Sequence, residues 1–129
     1  APSTNSTTRS FIGAPRINLV DRPGRATRAP HQALWDSLAA DAPAGIRRVG
    51  LRPEHLHVVA AGQGVPARVE LAEHLGDVSI LHLRVDGVAD LLSAKVGAGH
   101  ERIEAGQAVG LLPDKTWALR FGADARLAA

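Results

Sequence analysis

The sequence predicts a mainly β fold, a small barrel or sandwich carrying one short helix. Three observations predict it. Apolar and polar residues alternate in short runs, turn residues punctuate those runs about every ten positions, and a single stretch shows helical spacing. The 129 residues suffice for one domain with a modest core. A hydrophobic fraction of 45% with a mean hydropathy of −0.03 places the chain among globular sequences.

Residues 1–10 are rich in Ser and Thr and have no apolar period, so they read as a linker remnant, with the domain proper over 11–129. Phe11 to Val20 is apolar at both ends, with Gly13 and Pro15 between, and predicts an extended segment, a turn and a short strand. Asp21 to Pro30 is rich in Arg, Pro and Gly and reads as loop. Leu34, Trp35 and Leu38 recur at helical spacing, predicting a short amphipathic helix that ends before Pro43.

From Ile46 the period becomes two. Val49 to Arg52 predicts a strand ended by Pro53. Leu56, Val58 and Ala60 share one face, and Gly62-Gln63-Gly64 turns the chain. Val65, Ala67, Val69 and Leu71 form the next apolar face, and Leu75-Gly76-Asp77 interrupts it. Leu81, Leu83 and Val85 then alternate with His82 and Arg84, which makes this the best-marked hairpin in the chain. Asp86-Gly87 is a further turn, followed by Leu92, Ala94 and Val96 on one face. Gly97 to Gly106 reads as loop, and Val109 and Leu111 as a strand closed by Pro113-Asp114. Trp117, Leu119 and Phe121 share a face that reads as core, before a turn at Gly122-Ala123-Asp124.

Composition and motif tests narrow the function. With no Cys, the chain has no disulfide framework, thiolate metal site or cysteine nucleophile. No apolar run approaches the roughly 18 residues of a membrane-spanning helix. The polar start is unlike a signal peptide. The absence of Met, with a start at Ala1-Pro2-Ser3, reads as an excised or processed piece. The pI is near 9.9, but the net charge is only +2, which fits an Arg-flavoured solvated surface better than a nucleic-acid footprint. Neither G-x-x-x-x-G-K-[ST] nor G-x-G-x-x-G occurs, so no phosphate loop holds ATP here.

Among the six His, His55 and His57 would share one face of a strand, and His74 and His82 sit on the two arms of the hairpin, where they could face the same way. Without H-E-x-x-H or Cys partners they read as outward polar residues, and no metal is expected. Glu70 with Glu73, and Glu101 with Glu104, read as solvated surface rather than an acid/base pair. No catalytic residue and no cofactor is expected. Single-strand binding needs aromatic platforms, and two Trp, two Phe and no Tyr supply too few.

Several phrases, in order, resemble the C-terminal region of ABC importer ATPases of the maltose and glycerol-phosphate class. Phe11-Ile12-Gly13-Ala14-Pro15 with Ile17-Asn18 resembles the junction between ATPase and regulatory domains. Gly50-Leu51-Arg52-Pro53-Glu54-His55 resembles the most distinctive phrase of the regulatory domain. Val69-Glu70 through Glu73-His74-Leu75-Gly76, then Gly106, Val109-Gly110-Leu111 and Pro113-Asp114, and Trp117 to Phe121 with Gly122 to Leu127 after it, resemble its later strands and turns.

The resemblance implies an OB-like barrel of the TOBE type. It also implies contacts with its own ATPase domain, a second copy of the subunit, a regulatory protein or small effector, and, through the parent, permease subunits. ATP and Mg would belong to the preceding domain, and the parent would be cytoplasmic, peripheral to the inner membrane. The candidate motif and interface residues are Phe11, Gly13, Asn18, Arg52, Pro53, Glu54, His55, Glu70, Leu75 and Gly76. The chain departs from the pattern between Asn18 and Gly50, where an Arg/Pro-rich, partly helical stretch stands in place of several strands and predicts a reduced or open barrel edge.

Arg52 and Glu54 are either interfacial ion-bridge partners or surface charges contributing under about 1 kcal/mol. Two other functions stay open on the residues alone: a free-standing barrel for a small ligand or oxyanion, with Ser93-Ala94-Lys95 only beginning like an oxyanion phrase, and a single-strand-binding OB domain.

Overall fold

In a computed structural model that describes residues 16–97, 103–122 and 127–128, nine strands and one helix follow one another. They are β1 (Asn18–Asp21), α1 (Ala29–Ala39), β2 (Ile46–Leu51), β3 (Leu56–Val59), β4 (Val65–His74), β5 (Val78–Arg84), β6 (Leu92–Gly97), β7 (Ala108–Pro113), β8 (Leu119–Gly122) and β9 (Leu127–Ala128). The strands form two antiparallel sheets, ordered β1-β2-β8-β9 and β3-β7-β4-β5-β6. The edge strands β3 and β6 of the larger sheet lie against each other, so it curls into a nearly closed barrel.

Period-two alternation decides what each strand buries. Leu81 and Leu83 of β5, with Val85 just beyond it, are fully buried, as are Ala94 of β6 and Leu111 of β7. Leu56, Val58, Leu92, Val96 and Val109 complete the barrel wall. Each fully buried Leu contributes about 1.5–3 kcal/mol relative to an exposed one.

The helix sits where the sequence places it. Pro30 occupies its first turn, where a missing N–H costs nothing. Leu34, Trp35, Leu38 and Ala39 make one buried stripe packed against β2, β4 and β7.

Two side chains lock the helix to β1. The His31 Nε2–H donates to the Asp21 carbonyl at 2.8 Å, because a carbonyl only accepts; Nδ1 then accepts from Thr27 Oγ1 at 3.0 Å. Arg22 donates to the carbonyls of Ile46 at 2.7 Å, Pro43 at 2.8 Å and Ala42 at 3.3 Å. Its guanidinium also lies 4.8 Å from the Trp35 ring centroid. The Arg/Pro-rich departure between β1 and β2 is therefore a helical insert wired to the core.

Three sequence expectations are corrected. Leu71 does not share the inner face of Val65 and Val69. Val69 pairs with Leu83 but Leu71 pairs with His82, so Glu70 is an extra residue in β4. This bulge shifts the phase by one and leaves Leu71 47% exposed.

His55 and His57 do not share a strand face, because His55 lies in a 3-10 turn (Pro53–His55) and only His57 lies in β3. His74 and His82 do not face the same way. His74 stands opposite Ser79 and bonds its hydroxyl at 2.8 Å, whereas His82, three residues along the alternation, meets Glu73 at 2.8 Å.

Candidate functional site

Asn18, the first residue of β1, is buried and reaches across to β6 of the other sheet. Its Nδ2 donates to the Ser93 carbonyl at 2.8 Å, and its Oδ1 accepts from the Ser93 N–H at 2.7 Å. The backbone N–H of the oxyanion-like phrase at Ser93 is thus already engaged inside the molecule.

The Arg52-Pro53-Glu54-His55 phrase forms the corner between β2 and β3. Pro53 is buried at the start of the turn, while Arg52 and Glu54 are exposed. The turn closes as the His55 N–H donates to the Arg52 carbonyl at 3.0 Å. A second 3-10 turn, Lys115–Trp117, lies beside it. The Asp114 N–H donates to the His55 carbonyl at 3.0 Å, and Asp114 Oδ1 caps the turn by accepting from the Thr116 N–H at 3.1 Å.

The two turns bring the rings of His55 and Trp117 into parallel contact, with centroids 4.7 Å apart and planes 7° apart. His55 Nδ1 is buried and has no hydrogen-bond partner among the described residues. Trp117 is 57% exposed, a rigid aromatic plate backed on one face by the imidazole.

That exposure corrects the reading of Trp117, Leu119 and Phe121 as a core face. Register explains the difference. Leu119 pairs with Gly50, and Gly50 pairs with Leu19, so Leu119 and Leu19 stand on the outer face of the smaller sheet. The inner face takes the other phase, through Val20, Val49 and Ala118. A Cβ on Gly50 would stand 2.9 Å from Ile17 Cδ1, 3.2 Å from Phe121 Cε2 and 3.4 Å from Leu19 Cδ2, so these side chains converge over a bare backbone position. In β8 the sequence sets apolar Leu119 and Phe121 against Arg120 and so points the Leu119 phase inward, whereas pairing with β2 puts Arg120 opposite Val49 and turns Leu119 out.

The remaining motif residues lie apart from this corner. Glu70, the bulge residue, accepts from Arg84 Nε at 3.3 Å. Leu75 and Gly76 are exposed in the β4–β5 turn, where Gly76 has φ +86° and the Leu75 N–H bonds the Val78 carbonyl at 2.8 Å. Phe11 and Gly13 lie outside the described residues. Among the described residues, no group of three or more His, Asp or Glu could hold a metal ion, and no helix is long and apolar enough to cross a membrane.

Fold and site together define a small β-barrel module that presents an aromatic plate, flanking charges and an outward apolar sheet face. A family model described as TOBE domain matches residues 49–121, more than half of the chain, and the chain belongs to that family. It is 34% identical over 94 residues to an sn-glycerol-3-phosphate import ATP-binding protein, UgpC 2, of Agrobacterium fabrum, covering 68% of this chain and 25% of the relative. It is 44% identical over 81 residues to UgpC 3 of Rhizobium johnstonii, covering 60% and 22%. It is 30% identical over 125 residues to UgpC of Psychromonas ingrahamii, covering 89% and 32%. The chain therefore spans between about a fifth and a third of the length of these relatives.

Proposed function

We propose that this chain is the non-catalytic regulatory and dimerisation domain of an importer ATPase for glycerol phosphate, sugars or related solutes. The observation that carries the reading is the coincidence of a TOBE family match with relatives named as import ATP-binding proteins. ATP and Mg would be bound by the parent's ATP-binding domain, and the parent would work on the cytoplasmic side of the inner membrane against permease subunits.

The geometry supports a contact role. The Arg52–His55 corner and Trp117 hold exposed groups on short, internally bonded turns, as recognition by a protein or small effector requires. The reading frame upstream of Ala1 tests the proposal. An ATP-binding domain with a phosphate loop is expected there, and a frame that starts near Ala1 without one overturns the reading.

A further inference from the structure

We infer that the Trp117 corner is a carbohydrate-binding site, where a neutral pyranose ring stacks on the open face of the indole. Trp35 is buried in the core, whereas Trp117 is left more than half in water. An indole exposed to that extent forgoes the stabilisation of burial. It is nevertheless held still. The Trp117 N–H donates to the Asp114 carbonyl at 3.1 Å, the Ala118 N–H donates to the Lys115 carbonyl at 3.1 Å, and the His55 ring stacks at 4.7 Å. One face of the indole is therefore covered by His55, and the other is left to solvent.

A pyranose with equatorial hydroxyls matches this plate. The hydroxyls spread around the ring edge and leave the ring faces lined by C–H bonds. Those hydrogens carry partial positive charge beside the ring's oxygens, and the indole face is the negative part of its quadrupole. Stacking also removes apolar area on both partners from water. Because the indole is already fixed, little side-chain entropy is lost on binding. The surrounding charges favour a neutral ligand over an ion. Arg52 and Glu54 belong to the turn that carries His55, and Lys115 to the turn that carries Trp117; all three are exposed. Among the described residues, none of the three forms an ion pair, so their hydrogen-bonding capacity is unspent. Arg52 and Lys115 only donate, Glu54 only accepts, and a sugar hydroxyl does both. An anion would gain the two cations but be repelled by Glu54, and a cation would meet the reverse. On the function proposed above, the sugar is the small effector of the regulatory domain, but the binding itself belongs to this chain and stands apart from the upstream reading frame.

The two tryptophans give a direct test with an internal control. In NMR of the isotope-labelled chain, methyl β-D-glucopyranoside should shift the Trp117 indole N–H signal saturably, with half-saturation in the millimolar range, and leave that of Trp35 in place. Sorbitol, which has the hydroxyls but no ring face, should shift neither. In Trp117→Ala the sugar should no longer move the His55 and Thr116 amides. Arg52→Gln and Glu54→Gln should each raise the half-saturation concentration several-fold, with an otherwise unchanged amide spectrum showing that the fold is intact. A Trp117 signal that stays put, or that sorbitol moves equally, overturns the inference. So do amide shifts that survive Trp117→Ala, and half-saturation unchanged in both charge variants. Saturation by inorganic phosphate or AMP in place of the glucoside overturns it because the ligand is then an anion. Movement of the Trp117 signal on dilution without sugar overturns it because a second copy then occupies the plate.

Discussion

Asn18 shows how much one polar side chain can carry. Its amide satisfies both backbone groups of Ser93 between the two sheets, at 2.7 and 2.8 Å. Replacing it with Ala leaves a buried N–H and C=O unpaired, so Asn18→Ala should lower unfolding free energy by about 2–3 kcal/mol. A urea titration reads this as a lower midpoint with an unchanged slope; an unchanged midpoint would show that water replaces the bridge at no cost. The two tryptophans make a sharper contrast. Trp35 is 3% exposed beneath Arg22, whereas Trp117 is 57% exposed over His55. Trp35→Ala should cost about 3–5 kcal/mol. Trp117→Ala should cost about 1 kcal/mol or less, since it removes one stacked contact at the surface. Equal losses in the two variants would contradict the placement of Trp117 outside the core.

At the scale of elements, the loop between β3 and β4 comes against β7 at Gly110. A Cβ there would collide with the Gln63 carbonyl oxygen, and a backbone atom cannot swing away as a side-chain end can. Gly45, in the loop before β2, has nothing within 4 Å of an added Cβ. Gly110→Ala should therefore destabilise by more than about 2 kcal/mol, while Gly45→Ala stays within about 1 kcal/mol of the parent. Thermal unfolding of both variants decides it, and a tolerated Gly110→Ala would mean that β7 and the loop do not meet.

The same scale shows what the residue pattern makes legible. The helix, the Val49–Leu51 strand, the β4–β5 hairpin and the strands at Leu92 and Val109 all follow from periods and turn residues that can be read locally. The bulge at Glu70 and the outward phase of β8 do not. Each is a question of register with a strand distant in sequence, and a one-residue shift changes the face without changing the composition. The site was half legible for the same reason. The Arg52–His55 phrase stands out by itself, but its partner Trp117 is brought to it only by the Asp114-to-His55 backbone bond across β3 and β7.

Over the whole molecule, the question is whether two sheets make one cooperative unit. The buried cluster runs without a break through Val20 and Val49 of the smaller sheet, Leu34 and Trp35 of the helix, and Leu81, Leu83 and Leu111 of the barrel. Arg22 and His31 fasten the helix to the β1–β2 side, Asn18 ties β1 to β6, and α1 itself packs on β4 and β7. No set of contacts can be removed with one sheet while leaving the other's core covered, so partial unfolding would expose the fully buried Leu34 and Leu81 together. The chain should therefore unfold in a single two-state step. In a Trp117→Phe background, fluorescence reports Trp35 at the helix junction, while far-UV circular dichroism follows the strands of both sheets. The two denaturation curves should superimpose in midpoint and slope. A Trp35 transition that precedes loss of the strand signal would show instead that the helical insert and the smaller sheet detach from a barrel able to stand alone.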